Sequence, residues 1–373
     1  MFHEVCCNNI SYKYFRKIYV MRNKFFIKIS ALLILTAGFT VGSADQAVAR
    51  DKPQLVSSAA IQKVIEEAYE KYKPVMDGKN ASYIPYLAKA DSKLYGIAVV
   101  TVDGRVFRIG DAGHPFPVES VSKIFTLADV LHKQGAESIL HKIGVNATGL
   151  PFNSVLAVEL NNDRLGGSPP SGNPLVNAGA IATASLVEGK TLDAKWQNVI
   201  DTASAFAGHT LRLNDNVYRS EMASNQHNQA IAMLLQSYDH LYADVSETVD
   251  LYTRECSYDV DAVDLATMGA TFANGGTNPR THHVVVDAAT SAHVLAVMAT
   301  AGLYNTSGEW LFKVGLPGKS GVGGGIVAVV PGRLAIGVYS PRLDAAGNSV
   351  RGQLAVQFIA DALGVNIFAS EAQ

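Results

Sequence analysis

Alternating, β-branched sequence occurs in two blocks of this chain, residues 95–111 and the stretch beyond Gly315, while helical periodicity dominates residues 116–304 between them. A strand block at each end cannot bury its apolar face alone. The two blocks are therefore expected to pair into one sheet, with the intervening helices packed against it. This makes the expected fold α/β: an antiparallel sheet built from the N- and C-terminal segments with flanking helices, plus an inserted, mostly helical domain. In residue terms, 50–112 together with 305–373 form the sheet-containing part and 113–304 the helical part. A cleft between the two is the natural place for a site.

Local signals fill in this outline. Residues 51–72 read as a helix with Ile61, Val64, Ile65 and Ala68 on one side. Asp103-Gly104 is a two-residue signal for a tight hairpin within the first strand block. Ile124, Leu127, Ala128 and Leu131 form one helical stripe, and Ala230, Ala232, Met233, Leu234 and Leu235 sit in another helical segment. Residues 166–174 and 274–279 are Gly/Pro/Asn-rich loops. Strands are expected at 326–330 and 334–339, joined at Pro331-Gly332, before a closing helix over 350–363.

The first 49 residues read as a processing segment. Arg22, Lys24 and Lys28 precede an uncharged apolar run over 29–44, and Ala47-Val48-Ala49 follows with small residues where a signal peptidase reads them. The run is shorter than the roughly 20 residues a bilayer span needs, so a permanent membrane anchor is the weaker reading. Met21 is a possible true start. The expected mature chain begins at Arg50 and is exported to the periplasm or medium, with a cytoplasmic location as the alternative if the segment is not processed. Cys6 and Cys7 leave with it, so Cys256 remains alone and no intrachain disulfide can form. The full chain is 48% hydrophobic and 17% charged, with a formal net charge of −2, which excludes a disordered chain and gives no electrostatic reason to expect a nucleic acid partner.

Three common kinds of site fail on their residues. The ten histidines include no His-Glu-x-x-His, and the pair His282-His283 would point opposite ways on a strand, so no metal site is expected. Gly318-Lys319-Ser320 resembles the end of a phosphate loop, but Lys313 stands where that loop needs a glycine. There is no Gly-x-Ser-x-Gly elbow. What remains is Ser120-Val121-Ser122-Lys123 at the head of the first strongly amphipathic helix. Ser120 and Lys123 are one turn apart, where a neutral lysine amine can take the hydroxyl proton. Taken alone, the motif is equally well a capping serine beside a solvated lysine. Lys319-Ser320-Gly321, just before the C-terminal strands, supplies the second half of an arrangement found in serine β-lactamases and penicillin-binding proteins. Gly323-Gly324-Gly325 would let that backbone approach Ser120 closely, so that N–H groups near Ser120 and Val322 could form an oxyanion hole.

Glu119-Ser120-Val121-Ser122-Lys123, residues 173–181 from Asn173-Pro174 to Ile181, residues 318–325, and Tyr83-Ile84-Pro85 together resemble the signature blocks of the glutaminase family. The fold of that family is related to serine β-lactamases. The similarity runs from about Ile61 to Phe368 in one order. It departs in carrying a signal segment and in the loop 166–172, a place where family members differ in length. The resemblance implies Ser120 as nucleophile, Lys123 as its base, and Tyr304, or else Tyr252, as the group that returns the proton. It further implies substrate contacts from Asn177, Glu221, Asn228, Tyr252, Tyr304 and Val322, with Tyr83 at the mouth. Free glutamine is a zwitterion, and Glu221 is the only anion in that set, which suits the ammonium. Glu221 and Asn228 are seven apart, two turns along one face if they share a helix.

The implied activity is hydrolysis of L-glutamine to L-glutamate and ammonia through an acyl-enzyme, without cofactor or metal, in a homo-oligomer, a dimer or tetramer. A penicillin-recognising serine hydrolase and a non-catalytic exported glutamine-binding protein are the alternatives. The export reading has its own test. Intact mass of secreted protein should place the N-terminus at Arg50, and cytoplasmic material retaining residues 21–49 would overturn it.

Overall fold

The computed structural model describes residues 56–160 and 169–370. The signal segment and residues 166–168 of the expected first loop lie outside the described residues. Helix α1 (Ser58–Tyr72) starts on Ser57, whose hydroxyl accepts from the Ala60 N–H, and it buries Ile61, Val64, Ile65 and Ala68, the stripe its periodicity predicts. Strands β1 (Gly96–Thr101) and β2 (Val106–Gly110) form the expected antiparallel hairpin. Its turn differs from the two-residue form. Thr101 N donates to Arg105 O, enclosing a three-residue loop in which only Gly104, at φ +85°, takes the left-handed conformation. Asp103 is held by Arg105 and the Thr101 hydroxyl instead.

A short strand β3 (Phe116–Pro117) leads into the helical region: α2 (Lys123–Gln134), α3 (Ala136–Lys142), α4 (Val155–Leu160), α5 (Asn177–Ala184), α6 (Leu192–Ala207), α7 (Asp215–Met222), α8 (Gln226–Ser237) and α9 (Val245–Cys256). Strand β4 (Asp259–Val260) then pairs with β3, Phe116 opposite Val260. Helices α10 (Ala262–Ala273), α11 (Ala288–Ala301) and α12 (Ser307–Val314) follow, then β5 (Gly318–Ser320), β6 (Gly325–Val330), β7 (Leu334–Tyr339) and α13 (Val350–Leu363). The terminal segments do pair, as one antiparallel sheet in the order β2-β1-β7-β6-β5.

Strands β1, β6 and β7 are buried along their whole length, so both faces of the sheet are covered. Ile97, Val99, Ile326, Ala328, Ile336 and Val338 join the core under α1 and α13. Their neighbours Ala98, Val100, Val327, Val329 and Ala335 join the larger core that continues through α10 into the helical region. The α10 face is floored by small residues. A Cβ on Gly337 would sit 2.2 Å from Ala262 O and 2.7 Å from Ala266 N, which lets the helix lie directly on the strand. Of the second helical segment, Ala232 and Leu235 are buried but Met233 is 61% exposed, so its apolar residues do not all face the core.

Gly337→Ala should therefore lower the midpoint of urea unfolding, costing about 3 kcal/mol from overpacking against α10. Gly308, at the start of α12, has no atom within 4 Å of an added Cβ and no positive φ. There the same substitution should stabilise the fold by about 0.5–1 kcal/mol. Equal effects at the two positions would refute the close-approach argument.

Candidate active site

Ser120 stands on a single 3₁₀ turn (Glu119–Val121) that runs directly into α2. Two anchors fix this turn. The β3–β4 pair, extended by Val118 N donating to Tyr258 O, ties its entrance to the end of α9, and the Ser122 hydroxyl donates to Glu119 O at 2.7 Å. Glu119 is held at φ +50°, a conformation that costs a non-glycine residue about 1–3 kcal/mol and persists only where its surroundings over-determine it. Tyr304, across the site, is held likewise at φ +58°.

Lys123 opens α2 and is 1% exposed. Its Nζ lies 2.6 Å from Ser120 Oγ and 3.0 Å from the Tyr252 hydroxyl on α9. Tyr304 hydrogen-bonds Ser120 and donates to Ser320 O at 3.2 Å. Burial pushes both phenols upward, so both remain protonated and able to donate. The four groups expected to carry the chemistry thus meet in one enclosed place.

Strand β5 forms the opposite wall. Lys319 is fully buried, its Nζ donates to Ser320 O at 2.5 Å and sits 4.4 Å over the Tyr304 ring. Burial, reinforced by the charge of Lys123, holds the Lys319 amine well below the usual lysine range. The glycine run then crosses close to the Ser120 turn: a Cβ on Gly323 would lie 2.5 Å from Pro117 O and 3.2 Å from Glu119 Cγ. Among the described residues, neither the Ser120 nor the Val322 backbone N–H has a hydrogen-bond acceptor.

The polar residues expected around a substrate fall into two pairs. Asn177, at the start of α5, donates through Nδ2 to Asn228 Oδ1 at 3.0 Å, while its own N–H goes to Phe152 O and the Phe152 ring packs 4.7 Å from Tyr304. Glu221 meets Glu119. Both carboxyls have an Oε1 enclosed without a partner, and the two side chains lie close enough to influence each other's titration. Burial first, then the charge of Glu221, raises Glu119 well above the carboxylate range. Burial raises Glu221 to about 7, against the pull of Glu119, Lys123 and Ser257. Such a pair shares its titration, and both members are raised by burial.

One expectation about this set fails. Glu221 and Asn228 do not share a helix: Glu221 belongs to α7 and Asn228 to α8, and the chain leaves helical geometry between them. The Ser224-Asn225 step explains it, since Ser224 turns its N–H and hydroxyl back to Glu221 O. Tyr83, 57% exposed, lines a cavity of about 420 Å³ with Phe152 and Gly347, within electrostatic reach of Glu119, Glu221 and Tyr304. Val322 packs beside it with Ala81, Ile84, Leu343 and Phe152.

Two buried carboxylates escaped the sequence reading as site residues. Glu119 was visible only as the first letter of its block. Glu255 is 0% exposed on α9, one turn beyond Tyr252, and accepts from the Thr126 hydroxyl at 2.5 Å. Nothing in a single sequence separates such a residue from a surface carboxylate.

The model of the glutaminase family matches residues 78–368. A glutaminase of Colwellia psychrerythraea is 52% identical over 308 residues, covering 83% of this chain and 97% of the relative. One from Brucella canis is 53% identical over 312 residues, covering 84% and 96%. Among solved structures, one described as the probable glutaminase ybaS has TM-score 0.82 at 46% identity, covering 84% of this chain and all of the other. A Bacillus glutaminase has TM-score 0.74 at 31% identity, covering 83% and 100%.

Proposed function

The chain belongs to the glutaminase family and is a glutaminase, and from that premise we propose that it hydrolyses L-glutamine through a covalent acyl-enzyme on Ser120. The observation that carries this reading is the 2.6 Å approach of Lys123 Nζ to Ser120 Oγ between two buried side chains. Lys123 takes the hydroxyl proton as Oγ bonds the carboxamide carbon. The oxyanion rests on the Ser120 and Val322 N–H groups, each typically worth about 3 kcal/mol of barrier. Tyr304, which touches Ser120, returns a proton to the departing nitrogen, and Tyr252 keeps the Lys123 amine in place. Ammonia leaves as the C–N bond breaks, and a water activated by the same groups releases L-glutamate.

On the same reading the Glu119/Glu221 pair receives the α-ammonium, while Asn177 and Asn228 present amide groups to the rest of the zwitterion. This pair favours a glutaminase over a penicillin-recognising hydrolase, which acts on carboxylate-bearing substrates without needing an anion for an ammonium. Intact Ser120 and Lys123 argue against a binding protein without turnover. The Ser-x-x-Lys turn facing Lys319 on β5, beside a five-stranded antiparallel sheet, supports a serine β-lactamase-like ancestry, with 113–304 as its inserted domain. Export as a processed homo-oligomer completes the proposal. No helix among the described residues is long and apolar enough to cross a membrane.

Ser120→Ala and Lys123→Ala should each lower kcat on the order of 10⁴-fold or more, with the double variant no worse, because nucleophile and base act as a unit. Ser122→Ala should stay within about tenfold, since it loses one hydrogen bond of the turn. Ammonia release from glutamine and asparagine, the absorbance change of a chromogenic β-lactam, and labelling by a diazo-ketone glutamine analogue check both. Labelling of Ser122, or a β-lactam opened while glutamine is untouched, would sink the assignment.

The carboxyl pair makes a pH prediction. Glu221 must be ionised to hold the ammonium, and it titrates at about 7, so KM for glutamine should fall as pH rises from 6 to 8. In Glu221→Gln, KM should be raised by a few kcal/mol of lost charge-assisted contact and become flat over the same range. A parent KM that is flat from pH 6 to 8 contradicts the pair's role.

A further inference from the structure

Helices α2 and α9 are joined by two polar rungs. Lys123 meets Tyr252 at 3.0 Å, and Thr126 meets Glu255 at 2.5 Å. Both rungs join residues separated by 129 positions, so they advance by three residues on each helix at once and the two helices run in the same direction there. The first rung holds the base. The second places a fully buried carboxyl one turn further along, with Oε2 accepting from Thr126 and Oε1 left without a partner. A buried carboxyl oxygen left unsatisfied is costly, and α9 could have carried an apolar residue here at no loss of packing.

The surroundings of Glu255 are otherwise almost free of charge. Lys123 on α2 is the one basic group acting on it. Tyr252 and Cys256 on its own helix and Tyr258 beyond it are neutral groups that burial keeps protonated. The α5 helix contributes no titratable residue; α6 buries Val199, Ile200, Ala203, Phe206 and Ala207, and its charged Asp193 and Lys195 are engaged by Arg254 and Glu247 of α9. Asp129, further along α2, is turned away to Lys133 and Thr202. Glu221 on α7 acts on Tyr252 and Cys256 from the substrate side and is engaged with Glu119.

We propose that Glu255 is a positioning residue for the base: ionised, it secures Lys123 through the paired rungs of α2 and α9 and balances the ammonium that Lys123 becomes when it takes the Ser120 proton. This rests on the acyl-enzyme reading above. In that step the proton moves from Ser120 Oγ to Lys123 Nζ as Oγ bonds the carboxamide carbon, and Nζ later surrenders it toward the leaving nitrogen. Between those moments a cation sits in a dry interior. A carboxylate one turn away stabilises it there and repels the oxyanion less, because the oxyanion lies beyond Lys123.

The proposal is tested on the kcat of glutamine hydrolysis, at saturating substrate, between pH 5.5 and 9. Saturation removes the Glu221 step, which acts through KM. Burial raises Glu255 to about 7, against the hydrogen bond from Thr126 and the charge of Lys123, so parent kcat should rise as pH passes upward through that region. Glu255→Gln keeps the shape and an acceptor for Thr126. It should lose the step and leave a pH-flat kcat on the order of tenfold below the parent plateau. Thr126→Val removes the hydrogen bond that favours the carboxylate and should move the step to higher pH without abolishing it. Thermal melts of each variant separate this from misfolding, and Thr126→Val keeps the test open if Glu255→Gln does not fold. Kinetic profiles of both variants that superimpose on the parent, or losses that follow only the fraction folded, would overturn the proposal. Full turnover by Ser120→Ala, measured in the same series, would instead discard the acyl-enzyme reading on which it stands.

Discussion

Everything in the site depends on burying the Lys123 amine without a carboxylate in ion-pair contact. It is 1% exposed, and its two near neighbours are hydroxyls, Ser120 at 2.6 Å and Tyr252 at 3.0 Å. Neither neighbour is a carboxylate, so the amine is held by hydrogen bonds to hydroxyls. The first nine residues of α2 are buried, so the helix that begins with Lys123 is enclosed by α5, α6, α9 and α11, and the carboxyls that touch this environment stand one shell further away.

Holding a reactive turn in that position requires backbone contacts that side chains would obstruct. Glu119 takes a left-handed conformation so that Ser120 can project from the start of α2, and the glycine run after β5 passes so close to the same turn that a side chain on Gly321 or Gly323 would collide with it. The sheet supplies the rigid wall behind this contact. Its α10 face combines Ala98, Ala335 and Gly337 with Val100, Val327 and Val329, while its other face carries mostly Ile, Val and Leu residues under α1 and α13. The asymmetry lets the helical region and the sheet share one core, which keeps β5 and the Ser120 turn in fixed register.

The parts of this arrangement legible in the sequence are those with a period or a fixed spacing. The stripe of α1, the strands joined at Pro331-Gly332 and the helix Val350–Leu363 repeat over enough residues to be read, and Ser120 and Lys123 declare themselves by being one turn apart. What escaped has no period. The β3–β4 pair is two residues on each side, yet it anchors the entrance to the Ser120 turn. The break between Glu221 and Asn228 depends on Ser224 folding back on Glu221, a local hydrogen bond that competes with helix and leaves no pattern. Glu119 and Glu255 look like any surface carboxylates until the chain is folded around them, because burial of a charge is decided by tertiary packing.

Those buried carboxyls also separate the conditions of stability from those of activity. Glu221 and Glu255 are each raised to about 7 in the folded protein, above their value of 4.5 when unfolded, and Glu119 is raised further. An acid whose folded pKa is raised binds its proton more tightly in the native state. Its contribution therefore favours the fold below about 4.5, where both states are protonated, and weighs against it increasingly as pH rises toward 7. The ammonium contact proposed for Glu221 and the counter-charge proposed for Glu255 both require the ionised forms that this range disfavours. A site built on them is consequently at odds with its own fold near neutrality, and the continuous core beneath α10 is what offsets the conflict.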